Sequence, residues 1–105
     1  MRFTEENFQQ EVENSKGVVL VDFFAEWCGP CKMMGPVIED LERDNKTKEN
    51  LKIGKLNVDE SRSVAEKYKI MGIPTTILFK DGKPVGQTVG YQTKEQLQEL
   101  INQHL

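Results

Sequence analysis

A short run of β-branched and aromatic residues leads into two cysteines, and this arrangement constrains the fold more than any other feature of the sequence. Residues 18–24 read Val-Val-Leu-Val-Asp-Phe-Phe, a pattern typical of a strand buried on both faces. Cys28 follows shortly after this run, and Cys31 stands three positions further on. Apolar residues then recur at helical spacing, at Met34, Val37, Ile38 and Leu41. The sequence therefore predicts a buried strand, a loop that carries Cys28, and a helix that begins near Cys31.

The segments around this unit extend it into a β-α-β arrangement. Residues 51–58 form a second candidate strand, and Asp59 is placed to cap a short helix that follows it. Two strands joined by a helix require a right-handed crossover and therefore lie parallel. Upstream, Thr4 is a candidate N-cap for a first helix with Phe8 and Val12 on its apolar side.

The second half of the chain changes to a β-β-α pattern. Residues 75–79 and 85–89 flank Lys-Asp-Gly-Lys, and the Asp81-Gly82 pair is a strong hairpin signal. Thr93 and Gln96 form a capping box at the start of a last helix. Together the two halves predict an α/β fold, in which a mixed central sheet of four to five strands carries helices on both faces.

Length and charge narrow the classes of function. A chain of 105 residues makes one domain, residues 1–105, and we expect a monomer. A net charge of −3 argues against binding to nucleic acid or to an anionic membrane surface. The N-terminus lacks the apolar stretch of a signal peptide, and no segment has membrane-spanning length. We therefore expect a cytoplasmic protein, in a compartment where transient disulfides are catalytic.

The spacing of the two cysteines favours chemistry over architecture. A bridge between Cys28 and Cys31 closes a very short loop, and such a bridge stabilises little. At the start of a helix, Cys28 faces the positive end of the helix dipole and unpaired N–H groups, which stabilise a thiolate. Pro30 suits the first turn, because its missing N–H would have no partner there. We expect Cys28 to be the nucleophile and Cys31, lying deeper, the resolving thiol.

Two other interpretations of the cysteines remain at this level. They are a metal half-site or a pair of inert thiols. A structural zinc site needs four ligands, and the only histidine is His104, at the far C-terminus. Zinc or a cluster shared between two chains stays open, although we expect no bound metal or cofactor.

Several motifs in order resemble those of the thioredoxin family over nearly the whole chain. The central one is Trp27-Cys28-Gly29-Pro30-Cys31, and further motifs are Lys55 to Asp59, Gly72 to Thr75, Phe79 to Gly82, and Val89-Gly90. The resemblance implies the thioredoxin fold and general reduction of protein disulfides, with the chain acting as an electron carrier. It also implies two kinds of partner, disulfide-containing target proteins and a thioredoxin reductase that draws on NADPH, with no cofactor bound in this chain.

Asp22 interrupts the apolar strand six residues before Cys28. A carboxylate there is unfavourable unless it is paired or protonated, and burial raises its pKa. This would suit Asp22 to exchange a proton with Cys31. Lys55 on the neighbouring strand is a plausible partner, and the resemblance implies this same buried pair. The alternatives are a purely structural ion pair, or an aspartate that reaches water at a strand end.

The resemblance also implies a substrate surface beside the cysteines. Pro74 on its own suggests an ordinary strand start, whereas thioredoxins hold this proline cis beside the disulfide. Exposed backbone there would pair with an extended substrate segment. Trp27 could be a core aromatic, but its place in a loop favours contact with substrate. The expected substrate-binding residues are Trp27, Gly29, Pro30, Gly72, Ile73, Pro74 and Gly90.

Two departures from the family pattern and two rival functions complete the analysis. Phe24 stands where many thioredoxins have Trp, and Gly35 stands before Pro36 where Ala is common. Both affect fine tuning and leave the dithiol intact. The rivals are an oxidase or isomerase domain of similar fold and a non-catalytic docking module. The Gly-Pro pair between the cysteines argues against the first rival, and the presence of both cysteines argues against the second.

Overall fold

The computed structural model describes residues 1–105 and contains one five-stranded sheet. Across the sheet the order is β1-β3-β2-β4-β5. Strand β3 runs parallel to both β1 and β2, whereas β4 is antiparallel to β2 and β5 is antiparallel to β4. The predicted mixed sheet is confirmed. The strands are β1 (Arg2–Phe3), β2 (Val18–Phe24), β3 (Leu51–Asn57), β4 (Thr75–Lys80) and β5 (Lys83–Val89).

Three α-helices accompany these strands in the predicted β-α-β and β-β-α order, and the third follows the last strand. They are α1 (Gly29–Asp44), α2 (Arg62–Lys67) and α3 (Lys94–Asn102). None of them combines the length and the apolar character that crossing a bilayer requires. The capping box of Thr93 and Gln96 is present at the start of α3. Between β4 and β5, Asp81 and Gly82 both have positive φ, as a two-residue hairpin turn of the predicted kind demands.

The core has two parts because β2 is buried on both faces. Val19, Val21 and Phe23 point to one face, where they pack with aromatic residues from the N-terminal segment and β4. Val18 and Leu20 point to the opposite face and pack against α1 and α3. By the same alternation, Asp22 lies on the α1 face of the sheet, at the end of β2 nearest the cysteines. The strand thus carries its one carboxyl group toward α1.

Three local predictions were wrong or incomplete. The predicted first helix is a π-helical turn, Gln9–Glu13, although Phe8 and Val12 are buried as expected. Strand β1 was not predicted, because a two-residue strand exists only through its pairing with the distant β3. Asp59 does not cap α2, whose N-cap is Ser61 and makes no side-chain cap hydrogen bond. Asn57 closes that turn instead, since its Oδ1 accepts from the N–H of Asp59 at 2.8 Å.

Candidate active site

The two cysteines lie where β2 gives way to α1. Cys28 is the N-cap residue of α1, Gly29 and Pro30 are its first two residues, and Cys31 is the third. Residues at these positions lie on one side of the first turn, and the two Cα atoms are 5.2 Å apart. The sulfur atoms are joined in a disulfide. The predicted position of both thiols, after a buried strand and at the start of a helix, is confirmed.

Polar backbone groups lie close to the Cys28 sulfur at the N-terminus of α1. Its Sγ accepts a hydrogen bond from the N–H of Cys31 at 3.2 Å, which satisfies one of the unpaired donors at the start of α1. On the other side, the same sulfur lies 3.8 Å from the carbonyl oxygen of Ile73. A negative charge on Cys28 would therefore meet an N–H donor and the positive end of the α1 dipole. Both interactions favour the thiolate over the thiol.

Burial does not separate the two cysteines as predicted. Cys28 is 5% exposed and Cys31 is 4% exposed, so Cys31 is not measurably deeper by this criterion. The difference between them lies in their surroundings. Cys31 lines a cavity of about 360 Å³ that also reaches Asp22, whereas Cys28 is not part of its lining. Cys31 and Asp22 thus face the same cavity.

Asp22 is completely buried, and neither of its carboxyl oxygens has a hydrogen-bond partner. Burial raises the pKa of Asp22 to about 7, and the nearby positive charge of Lys55 offsets only part of this increase. The expected burial of this carboxyl group is confirmed. Such a group can take up or release a proton near neutral pH.

The expected buried pair of Asp22 and Lys55 is wrong in its geometry. The two residues are neighbours in the β2–β3 register, so both approach the cavity. However, the Lys55 ammonium is partly exposed and donates to Oε2 of Glu39, on α1, at 2.7 Å. Lys55 therefore acts on Asp22 through charge at a distance and makes no hydrogen bond to it.

Exposed and partly exposed residues surround the disulfide, although Pro74 itself is buried. Trp27 is 71% exposed, so the interpretation as a core aromatic is wrong, and its Nε1 donates to Oδ2 of Asp59 at 2.9 Å. The Ile73–Pro74 peptide bond is cis, as the family resemblance implied. The carbonyl of Pro74 accepts from the N–H of Gly90 at 2.8 Å, which brings these two segments together. Gly72, Ile73 and Gly90 are each partly exposed.

Sequence analysis missed part of this surface. Met71 is 96% exposed directly before Gly72, and Val89 is 62% exposed directly before Gly90. Met33 is also exposed, whereas Met34 is buried. The sequence signal for Met71 and Val89 was their position, because each directly precedes a glycine that was predicted to bind substrate. Glu39 was missed too, although it follows Cys31 and Gly35 at intervals of four residues and so shares their face of α1.

No cluster of three or more His, Cys, Asp or Glu side chains is arranged to hold a metal ion. The chemistry that can be assigned to this site is that of its sulfur atoms. A disulfide that opens the first turn of a helix, next to a buried carboxyl group, defines a thiol–disulfide oxidoreductase.

Comparison with known proteins gives the family. The model of the family described as Thioredoxin matches residues 1–103. The curated thioredoxins of Staphylococcus aureus strains MW2 and N315 are each 51% identical to this chain over 105 residues, which is 100% of this chain and 97% of theirs. The chain belongs to the thioredoxin family and has its fold, and it is a thiol–disulfide oxidoreductase of that family.

Proposed function

We propose that the chain is a general protein disulfide reductase in which Cys28 attacks and Cys31 resolves. In the first step, the Cys28 thiolate attacks one sulfur of a target disulfide. The target S–S bond breaks, its second sulfur leaves as a thiolate and takes up a proton from water, and a mixed disulfide remains. The observation that carries this assignment is the 3.2 Å hydrogen bond from the Cys31 N–H to the Cys28 sulfur at the N-terminus of α1.

In the second step, Cys31 releases the target. The Cys31 thiol gives its proton to the Asp22 carboxylate and attacks Cys28, and the remaining target sulfur leaves as a thiolate and takes up a proton. The target gains two electrons and two protons overall, and the chain keeps the Cys28–Cys31 disulfide. Support for Asp22 comes from its burial beside the cavity that Cys31 also lines, and from a pKa near 7.

The surface around the disulfide would receive the target as an extended segment. Gly29 and Pro30 adjoin the attacking sulfur, Gly72 and Ile73 present partly exposed backbone beside it, and the cis Pro74 ends this stretch. Trp27 and Gly90 would border the bound segment. Backbone pairing of this kind suits many targets, because main-chain groups carry no sequence information.

Membership of the thioredoxin family supports the partners. We propose that a thioredoxin reductase reduces the disulfide with electrons from NADPH, that this chain itself binds no cofactor, and that it acts as a monomer. Disulfide-containing proteins are the acceptors. We also place the chain in the cytoplasm, where disulfides exchange rather than persist.

Trapping tests the roles of the two cysteines. Cys31→Ser should accumulate a covalent complex with a disulfide-bonded test protein, which dithiothreitol releases, because the second step is blocked. Cys28→Ser is the matched control and should trap nothing. Complexes on Cys28→Ser and none on Cys31→Ser would reverse the assignment.

Two measurements separate the proposed reductase from its rivals. Dithiothreitol-driven reduction of a disulfide-bonded protein should turn over many times, and no turnover would favour a docking module. A strongly oxidising reduction potential would favour an oxidase or isomerase. Asp22→Asn should slow the second step most clearly near neutral pH, and an unchanged rate at every pH would remove Asp22 from the mechanism.

A further inference from the structure

The Glu39–Lys55 ion pair stands at the edge of the cavity that joins Asp22 and Cys31. Glu39 Oε2 and Lys55 Nζ are 2.7 Å apart, and both side chains line that cavity. Glu39 is 65% exposed and Lys55 is 25% exposed, so the pair lies on the solvent side of the fully buried Asp22. The cation whose charge acts on Asp22 is thus bound to a carboxylate other than that of Asp22.

The helix supplies both the anion and the space for this arrangement. Cys31, Gly35 and Glu39 follow one another at intervals of four and form one face of α1. A Cβ atom at Gly35 would lie 3.3 Å from Lys55 Nζ, so the ammonium packs directly against the glycine. The Lys55 side chain therefore runs from β3 to α1 beside Gly35 and ends on Glu39.

We propose that Glu39 is a positioning residue of the oxidoreductase site: its carboxylate holds the Lys55 ammonium at the edge of the cavity and withholds it from the buried carboxyl group of Asp22. This inference deepens the proposed function, because it rests on Asp22 as the proton partner of Cys31. The exposed carboxylate of Glu39 thereby controls how closely the Lys55 ammonium approaches the buried carboxyl group of Asp22.

The carboxyl groups of Glu39 and Asp22 compete for the Lys55 ammonium, and this competition affects the pKa of Asp22. When Glu39 is neutral, Lys55 loses its counter-ion. Asp22 and Glu26 are the other carboxyl groups that line the same cavity, and Asp22 is the direct neighbour of Lys55 in the β2–β3 register. A cation that closes on a carboxylate favours its ionised form and lowers its pKa. Asp22 would then give up its proton at a lower pH and become a weaker base for the Cys31 thiol.

Other charges face the same cavity and must be held constant. Arg2 on β1, Glu26 in the loop after β2, and Lys32 on α1 line it, and Cys31 titrates when it is reduced. Arg2 pairs with Glu60, so its charge is already engaged. Measuring the oxidised protein removes the titration of Cys31, since both thiols are then in the disulfide.

The experiment is a pH titration of the Asp22 side-chain carboxyl carbon by NMR in the oxidised full-length protein. Glu39→Gln should lower the Asp22 midpoint by about 1 pH unit or more, the size of effect that an adjacent cation produces. Asp40→Asn is the matched control: it neutralises the next residue of α1, which pairs with Arg43, and should leave the midpoint unchanged.

A second background tests whether Glu39 works through Lys55. In Lys55→Met there is no ammonium to reposition. Adding Glu39→Gln to this variant should therefore move the Asp22 midpoint by no more than about 0.3 pH units, a small fraction of the shift that Glu39→Gln causes when Lys55 is present. An unchanged midpoint in Glu39→Gln alone would overturn the proposal. An equal shift in both backgrounds would overturn it too, because Glu39 would then act directly by its own charge.

Kinetics separate this inference from the proposed function. The pH profile of the second exchange step should shift to lower pH in Glu39→Gln, in parallel with the NMR midpoint. If the midpoint moves and the rate profile does not, Glu39 positions Lys55 as proposed, and Asp22 is not the proton partner of Cys31.

Discussion

The indole of Trp27 is held in place by Asp59, whose Oδ2 accepts a hydrogen bond from Nε1 at 2.9 Å. Trp27 is 71% exposed, and this bond joins its large apolar ring, next to Cys28 in sequence, to the turn after β3. Asp59 was expected to cap α2. In the structure its carboxylate instead binds the indole of Trp27, while Asn57 forms the turn.

Removing this acceptor should free the ring. In Asp59→Ala we expect lower fluorescence anisotropy and stronger quenching by acrylamide, and both signals report on Trp27 alone because it is the only tryptophan. The free energy of unfolding should change by less than about 1 kcal/mol, since the bond is exposed.

The neighbouring carboxylate provides the control for that measurement. Glu60 belongs to the same turn but pairs with Arg2, and the indole donates to Asp59, so Glu60→Gln should leave the fluorescence of Trp27 unchanged. Equal anisotropy in Asp59→Ala and the unmodified protein would mean that packing alone holds the ring.

Asp22 should make stability depend on pH in a direction unusual for an acid. Burial raises its pKa from 3.8 to about 7, so the folded state binds the proton more tightly than the unfolded state does. The stabilisation is therefore fully present below about pH 4 and is lost as the pH rises toward 7. The loss is on the order of 4 kcal/mol, because one pKa unit corresponds to about 1.4 kcal/mol.

Asp22→Asn cannot ionise and should lack this dependence. Urea unfolding of the oxidised proteins between pH 4 and pH 8 should show the variant gaining stability relative to the unmodified chain as the pH rises. The difference in unfolding free energy between the two proteins cancels the contribution of the other titrating groups. A difference that stays constant over this range would show that Asp22 titrates normally.

Gly35 should be replaceable by alanine with a gain in stability. It lies inside α1, where glycine destabilises by about 0.5–1 kcal/mol relative to alanine. The added Cβ would meet only Lys55 Nζ, at 3.3 Å, and the end of a flexible side chain can move aside. We expect Gly35→Ala to raise the free energy of unfolding in urea by about that amount.

Gly54 offers the opposite case for the same assay. A Cβ there would lie 2.5 Å from the backbone oxygen of Met1 and 2.8 Å from the Phe3 ring, and neither can move freely. Gly54→Ala should therefore destabilise the protein. A loss of stability in Gly35→Ala as well would mean that the Lys55 side chain is rigidly held.

The parts of the fold that sequence predicts well are those set by local pattern. The run at 18–24 is a buried strand because its residues are apolar on both faces, and Asp81-Gly82 turns the hairpin because both positions take positive φ. The Thr93–Gln96 box starts α3 through bonds within four residues. Each of these signals needs no knowledge of the rest of the chain.

The parts that could not be predicted depend on which distant residues meet. Strand β1 exists only against β3, and Asp59 bonds to Trp27, which lies 32 positions away. The cysteines and Asp22 were predictable from their place after and within one strand. The partner of Lys55 was not, because two carboxylates lie within its reach and only the packing of α1 on β3 selects Glu39.

The acidity of the Cys28 thiol tests the central claim most directly. In Cys31→Ser the only thiol is that of Cys28, so the pH dependence of its alkylation by iodoacetamide belongs to one sulfur, while the backbone N–H donor at position 31 is retained. We predict a pKa at least one unit below the ordinary thiol value of about 8.5, with rapid alkylation at neutral pH. A pKa at or above 8.5, with slow alkylation, would contradict the assignment of Cys28 as the attacking thiolate.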